Sequence, residues 1–294
     1  MARNDYLPPS ALLSLQVMTK HSQLFSERTL QSVAHKAILT ALSTEKTALN
    51  TPVPIDIFLS LEDNQLNVWL NTSGASLHQR GRRKQTGPAP LKENLAAAML
   101  LFSGWKFKAP LRDPFCGSGT IVIEAALLAK NLAPGLQRTF AFQSLKTFDS
   151  NLRNHLVQQA QQSVFSHPYQ LMGSDINADV LVYAKQNAER ANVAELITRE
   201  QSDFSSASLK NLASDHSLTP RILTNPPYGK RIATGEELLP LYQKLSTAFQ
   251  SYAGGVISAY PSIDTLFPAS AFSHKSRYNG AEKVDFYYKK PLHS

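Results

Sequence analysis

A single cysteine, Cys116, stands in the 294 residues, which excludes an internal disulfide and any zinc site built on several thiolates. Long apolar runs are missing too. Nothing approaches the roughly 18 consecutive apolar residues that cross a bilayer, and the start, Met1-Ala-Arg-Asn-Asp-Tyr6, lacks the apolar stretch of a secretory signal. Together these absences point to a protein of the reducing cytoplasm. Acidic residues are the scarcer charge, 22 Asp and Glu against 30 Lys and Arg. The resulting +8 implies a polyanionic partner. What remains, 43% hydrophobic and 18% charged, is an ordinary globular balance, long enough for one large domain and one small one.

The stretch from Ala109 to Asn131 reads as a strand, a glycine turn and a helix without a gap. Asp113 closes the strand, and Pro114, Phe115, Cys116, Gly117, Ser118 and Gly119 make the turn. Thr120 then opens an apolar, Ala-rich helix whose free N–H groups face that turn. A phosphate loop would need Gly-Lys-Ser/Thr here, and a dinucleotide fingerprint would need a third glycine where Val122 stands. Pyrophosphate ligands are therefore disfavoured. An acidic residue just before the turn suits a ligand with an amine and a cationic centre, which describes S-adenosylmethionine.

Far down the chain, Arg221 to Arg231 contains Asn225-Pro226-Pro227-Tyr228. Two prolines remove two backbone donors and hold the chain extended, so a strand must end there with acceptors left over. The Asn225 side-chain oxygen and the Pro226 carbonyl can hold the two N–H bonds of an amine about to be alkylated. Tyr228 offers a ring on which a planar base can stack. No dedicated general base is evident, and the reaction needs no metal.

These motifs, in this order, resemble the class I amino-methyltransferases, and within them the RNA guanine-N2 methyltransferases that carry an N-terminal THUMP domain. The stretches carrying the resemblance are Thr72-Ser-Gly-Ala-Ser-Leu-His-Gln-Arg-Gly-Arg82, Ala89-Pro-Leu-Lys-Glu-Asn-Leu-Ala-Ala-Ala98, Asp113 to Ala126, Gly173-Ser-Asp175 and Thr224-Asn-Pro-Pro-Tyr-Gly229. The likeness is to the bacterial branch acting on 23S ribosomal RNA. It implies a seven-stranded Rossmann-like α/β sheet over residues 91–294, ending in an antiparallel hairpin. It further implies a partial THUMP-like segment over 1–75 and a basic linker over 76–90. A tRNA guanine-N2 or DNA adenine-N6 methyltransferase is the alternative enzyme, and a non-catalytic RNA-binding or assembly factor is the alternative of another class.

Along the rest of the chain, the apolar spacing predicts a helix over 27–42 and a hairpin of strands over 55–61 and 65–70. Arg80, Arg82, Arg83 and Lys84 crowd a Gly- and Pro-rich stretch, expected to contact RNA phosphates, as are Lys230 and Arg231. The helix from Leu91 brings Lys92, Glu93 and Asn94 near the site, since the resemblance puts this helix at the methionine end of the cofactor. A strand over 171–174 ends at Asp175, placed to accept the ribose hydroxyls, with Ile176 beside it. Another strand ends before Asp203 and Phe204, where Asp203 is placed to accept from the adenine amine. Asn225 adjoins the cofactor as well.

Overall fold

The computed structural model describes residues 6–8, 10–42, 53–80, 91–107, 109–204, 220–228 and 238–289. They form two compact units, one of Met1–Leu77 with Arg138–Gln159, the other of His78–Gln137 with Ala160–Ser294.

In the first unit β1 (Ala11–Lys20) pairs parallel with β2 (Val53–Glu62), which pairs antiparallel with β3 (Gln65–Leu70). Alternation decides which face is buried. Leu15, Ile55, Ile57 and Leu59 point to one side and form a small core with Leu42 of α1 (Glu27–Leu42), while Gln16, Phe58 and Trp69 line the other. Strand β1 was not expected, although its Leu13, Leu15 and Val17 repeat every second residue. The segment Arg138–Gln159, which the resemblance counts within the 91–294 domain, packs with the N-terminal strands instead. Its Phe142 N–H bonds the Thr72 carbonyl at 2.9 Å and its Lys146 N–H the Tyr6 carbonyl at 3.0 Å.

The second unit is a seven-stranded sheet with helices on its faces. In chain order come α2 (Glu93–Phe102), β4 (Leu111–Asp113), α3 (Thr120–Ala129), β5 (Leu171–Asp175), α5 (Ala178–Arg190) and β6 (Ile197–Gln201); α4 (Ser150–Gln162), which falls between α3 and β5 in sequence, belongs to the first unit up to Gln159. Then follow β7 (Arg221–Thr224), α6 (Leu239–Ser251), β8 (Ala253–Ser258), the short α7 (Ile263–Leu266) and the hairpin β9 (Ser273–Asn279) and β10 (Glu282–Lys289). The strand order is β6-β5-β4-β7-β8-β10-β9, with β10 antiparallel to β8 and to β9 and the other pairs parallel.

The order reverses direction between β4 and β7, both at the middle of the sheet. Ligands of such sheets bind beyond the carboxyl ends of the strands at that reversal. β4, β7 and β8 are buried along their whole length, as strands covered on both faces must be. One core, with Leu111, Ile121, Ala125 and Leu223, packs α2 and α3 on one side of the sheet. A second, with Ile222, Tyr242, Leu245, Phe249 and Val256, packs α6 on the other.

Candidate functional site

The two motifs meet at the reversal point. Asp113 ends β4 and Thr224 ends β7, and the Thr224 hydroxyl donates to Asp113 Oδ1 at 2.7 Å. Asp113 is almost fully enclosed and also accepts from the Phe115 N–H at 3.2 Å. Burial pushes its carboxyl from an ordinary 3.8 to about 7; the Thr224 and Phe115 hydrogen bonds pull the other way, and the nearby Asp175 charge pushes further up. Once ionised, a carboxylate enclosed beside the turn attracts a cation more strongly than a screened surface carboxylate does.

The turn itself is closed by the Gly119 N–H on the Cys116 carbonyl at 2.8 Å, and is tied to β5 by the Cys116 N–H on the Ser174 carbonyl at 2.9 Å. Gly119 has φ +86° and caps α3. A Cβ there would come within 3.2 Å of Ala184 Cβ and Ile123 Cδ1, so both conformation and close packing of α5 demand glycine. Gly117, at φ +51°, differs: a Cβ would meet nothing within 4 Å. The space over Gly117 is where a ligand can approach the backbone. Cys116, Ser118 and Thr120 are buried, and Asn187 of α5 donates to the Ser118 carbonyl at 3.2 Å. A cleft beside the turn is lined by Arg80, Glu93, Ser118, Thr120, Glu124 and Asn187.

Asp175 lies at the carboxyl end of β5. Its Oδ2 accepts from the Gly117 N–H and its Oδ1 from the Asn177 N–H, each at 3.0 Å. Each carboxylate oxygen has room for a second donor, so the bonds that orient Asp175 also leave it able to receive a pair of hydroxyls. Next to it, Ile176 is 68% exposed, an apolar side chain held out at the strand tip. Asp203 is exposed, while Phe204 is buried against Phe115, with ring centroids 5.4 Å apart. The expected cofactor residues Asp113, Pro114, Phe115, Cys116, Gly117, Ser118, Gly119 and Thr120 thus share one rim with Asp175.

Asn225 follows Thr224 directly. Its Oδ1 is buried and has no hydrogen-bond partner among the described residues, so it is an acceptor without a donor. Pro226 is buried and Pro227 half-buried. Tyr228 corrects an expectation. Its ring is 1% exposed and packed in the main core, rather than open to a stacking base.

Arg80 needs a second correction. Its guanidinium makes a two-pronged pair with Glu124 of α3, Nε to Oε1 at 3.1 Å and Nη2 to Oε2 at 3.0 Å, with side-chain exposures of 15% and 5%. Both prongs are committed to a carboxylate, so Arg80 is not turned to phosphate. A signal was present: Glu124 is the lone charge in the apolar helix Thr120–Ala129, and a buried carboxylate needs a cation. Arg82, Arg83, Lys84, Lys230 and Arg231 lie outside the described residues. Among the described residues no group of three or more His, Cys, Asp or Glu is placed to hold a metal ion. No described helix is long and apolar enough to cross a membrane.

A seven-stranded sheet of this order, with a Gly-Ser-Gly turn at the reversal and Asn-Pro-Pro-Tyr after the neighbouring strand, is the architecture of the class I methyltransferases. Residues 80–285 match the family model described as the RMKL-like methyltransferase domain. The chain belongs to that family. It is 43% identical over 208 residues to the "Ribosomal RNA large subunit methyltransferase K/L" of Shewanella sp. (strain ANA-3), a match covering 68% of this chain and 28% of that protein. The chain therefore spans just over a quarter of the length of this curated relative. Among solved structures, it superposes on SMU.472, a putative methyltransferase complexed with SAH, at a TM-score of 0.83 and 27% identity, covering 99% of this chain and 78% of that one. It also superposes on a predicted N6-adenine-specific DNA methylase from Listeria monocytogenes, at a TM-score of 0.83 and 29% identity, covering 99% and 76%.

Proposed function

We propose that the chain transfers a methyl group from S-adenosylmethionine to the exocyclic N2 of a guanine in RNA, with 23S ribosomal RNA as the substrate. The observation that carries the chemistry is the buried Asn225 Oδ1, without a partner among the described residues, one residue beyond the Thr224–Asp113 contact. An amine N–H satisfies that oxygen, and the contact holds it beside the turn.

S-adenosylmethionine fits the residues present. The open space over Gly117 admits a ligand to the backbone, Asp113 is an acid enclosed beside it, and Asp175 has acceptor room for ribose hydroxyls. The SAH found with SMU.472 supports the same reading. When bound, the cofactor supplies a methyl on a sulfonium, an already activated leaving group. The chain's residues then have two tasks, alignment and holding the amine. With Asn225 and the Pro226 carbonyl accepting its two N–H bonds, the nitrogen lone pair is aimed away from them. The amine has little basicity, so it loses a proton during or after attack. A paired guanine hides N2, so the base must leave its helix before it can be held.

The name of the ribosomal RNA relatives favours RNA, as does a net charge of +8. Arg82, Arg83, Lys84, Lys230 and Arg231 are the cations we assign to phosphate contact. An RNA substrate of this kind puts the protein in the cytoplasm. A second reading, DNA adenine N6, is favoured by the name given to the Listeria structure, and the same two acceptors serve either amine. Radiolabelled methyl transfer to total RNA and to DNA, followed by nucleoside digestion, decides between them. Label in N2-methylguanosine supports the proposal; label only in N6-methyldeoxyadenosine overturns its substrate; no label in either returns the chain to a non-catalytic RNA-binding factor.

A further inference from the structure

Pro226 and Pro227 carry no N–H, so the segment that bears Asn225 has few donors with which to hold its own shape. Its fixed points must come from groups that donate to its carbonyls. One is visible. The hydroxyl of Tyr242, on α6, lies 3.1 Å from the Pro227 carbonyl oxygen, and Tyr242 is 0% exposed. The same hydroxyl meets Ser258 Oγ, at the end of β8 and equally buried, and Ser258 Oγ accepts the Tyr260 N–H at 3.0 Å. The Tyr260 ring stacks on that of Tyr242 at 4.4 Å with the planes 13° apart, which fixes the phenol's orientation.

Proton counting gives this chain a direction. The Pro227 carbonyl can only accept and the Tyr260 N–H can only donate. Each hydroxyl proton within the group finds an acceptor only if Tyr260 donates to Ser258, Ser258 to Tyr242, and Tyr242 to Pro227. Burial raises the Tyr242 phenol above its ordinary value, so it keeps the proton it must give. Both prolines have φ locked, and the direction of the Pro227 carbonyl sets the plane of the next peptide. Fixing that one oxygen therefore limits where the rigid Pro-Pro unit can hold Asn225 on one side and Tyr228 on the other.

We infer that Tyr242 is a positioning residue for methyl transfer: through the Pro227 carbonyl, and relayed from Ser258, it holds Asn225 where the amine must sit. This rests on the amine-holding reading given above. Tyr242 is fully enclosed and bonds the segment at the Pro227 carbonyl, so its loss should spare cofactor binding and strike the transfer step.

The test uses the full chain with Tyr242→Phe, and with 4-aminophenylalanine at the same position, which returns an N–H donor. Carbon-13 at proline carbonyls and nitrogen-15 in tyrosine reports only Pro–Tyr bonds, and the sequence has two, at 168–169 and 227–228. We expect Tyr242→Phe to move the 227–228 signal and, in a second sample carrying nitrogen-15 in asparagine, the Asn225 side-chain amide signal, with the 168–169 signal and SAH affinity unchanged and the melting temperature lowered only by the loss of a buried hydrogen bond. Single-turnover transfer to unmodified 23S RNA transcript should slow by about tenfold, the worth of one hydrogen bond, without a change in KM. The amino analogue should restore both signals and rate. Unmoved Asn225 signals, an unchanged rate, or a loss of cofactor affinity in step with the rate would each overturn the positioning role. If the signals respond as expected but Asn225→Ala transfers at the wild-type rate, it is the amine-holding reading that fails, and the role of Tyr242 in transfer with it.

Discussion

Asp113 and Thr224, 111 residues apart in sequence, are joined by a 2.7 Å hydrogen bond from the Thr224 hydroxyl to a carboxyl that titrates near 7. That contact couples the two halves of the site. Asp113 precedes the glycine turn and Thr224 precedes Asn225, so a change in the charge of Asp113 is felt at the strand end that bears Asn225.

A pH dependence follows. The folded-state value of Asp113 is raised from 3.8 to about 7, so its contribution favours folding below 3.8 and is lost as pH rises through about 7. A cationic ligand reverses this preference by stabilising the carboxylate. Near pH 6 S-adenosylmethionine should therefore bind with release of a proton from Asp113, and its affinity should fall as pH drops. Calorimetry in two buffers of different protonation enthalpy checks this. Proton release should appear in the wild type and vanish in Asp113→Asn; equal release in both would take the effect away from Asp113.

The proposed role of Asp175 is to hold the ribose of the adenosine. Its carboxylate already holds the Gly117 and Asn177 N–H groups, so Asp175→Ala loses the turn's anchor as well as any ribose bonds. Charge-assisted bonds contribute about 1.5 to 3 kcal/mol each, and the variant should bind SAH roughly tenfold or more weakly. Unchanged affinity would remove Asp175 from the site.

Arg80 and Glu124 make a stability prediction. Arg80→Ala takes the guanidinium away from a carboxylate of 5% side-chain exposure, and denaturant unfolding should show a loss of up to about 3 to 5 kcal/mol. The double variant Arg80→Met with Glu124→Leu should recover most of it, since both charges leave together. A neutral Arg80→Ala that weakened RNA binding instead would return Arg80 to phosphate contact.

Tyr228 separates packing from stacking. Tyr228→Phe keeps the ring and should be mild. Tyr228→Leu keeps an apolar plug without a ring, and if a base stacks here transfer should slow by the 1 to 3 kcal/mol of such a contact, about fivefold or more. Because the ring is 1% exposed, a base reaches it only after the ring is uncovered. A wild-type rate in Tyr228→Leu would leave the ring as core alone.

The sequence was most informative where chemistry and local geometry coincide. Gly117, Gly119, Asp175 and the Pro-Pro pair stand out by residue type and position, and the seven-stranded sheet with its antiparallel hairpin was expected from the resemblance these motifs carry. What escaped depended on distance. Nothing in the sequence marks Thr224 as a partner of Asp113 until β7 is laid beside β4, and nothing marks Tyr242 until its hydroxyl meets the Pro227 carbonyl. Arg80 was read with its basic neighbours because a sequence shows charge density, not which carboxylate a side chain folds back upon. The first unit's use of Arg138–Gln159 was hidden for the same reason: no local signal says where an insertion packs.

The most direct test of the account is single-turnover methyl transfer by Asn225→Ala at saturating RNA, with SAH affinity measured alongside. The substitution removes the buried acceptor and leaves both prolines in place. Cofactor affinity should stay within a few fold, while transfer should slow by about 100-fold or more, a loss of roughly 2.7 kcal/mol or above in transition-state stabilisation. A variant that transfers at the wild-type rate would contradict the account, because the amine would then be held by something other than Asn225.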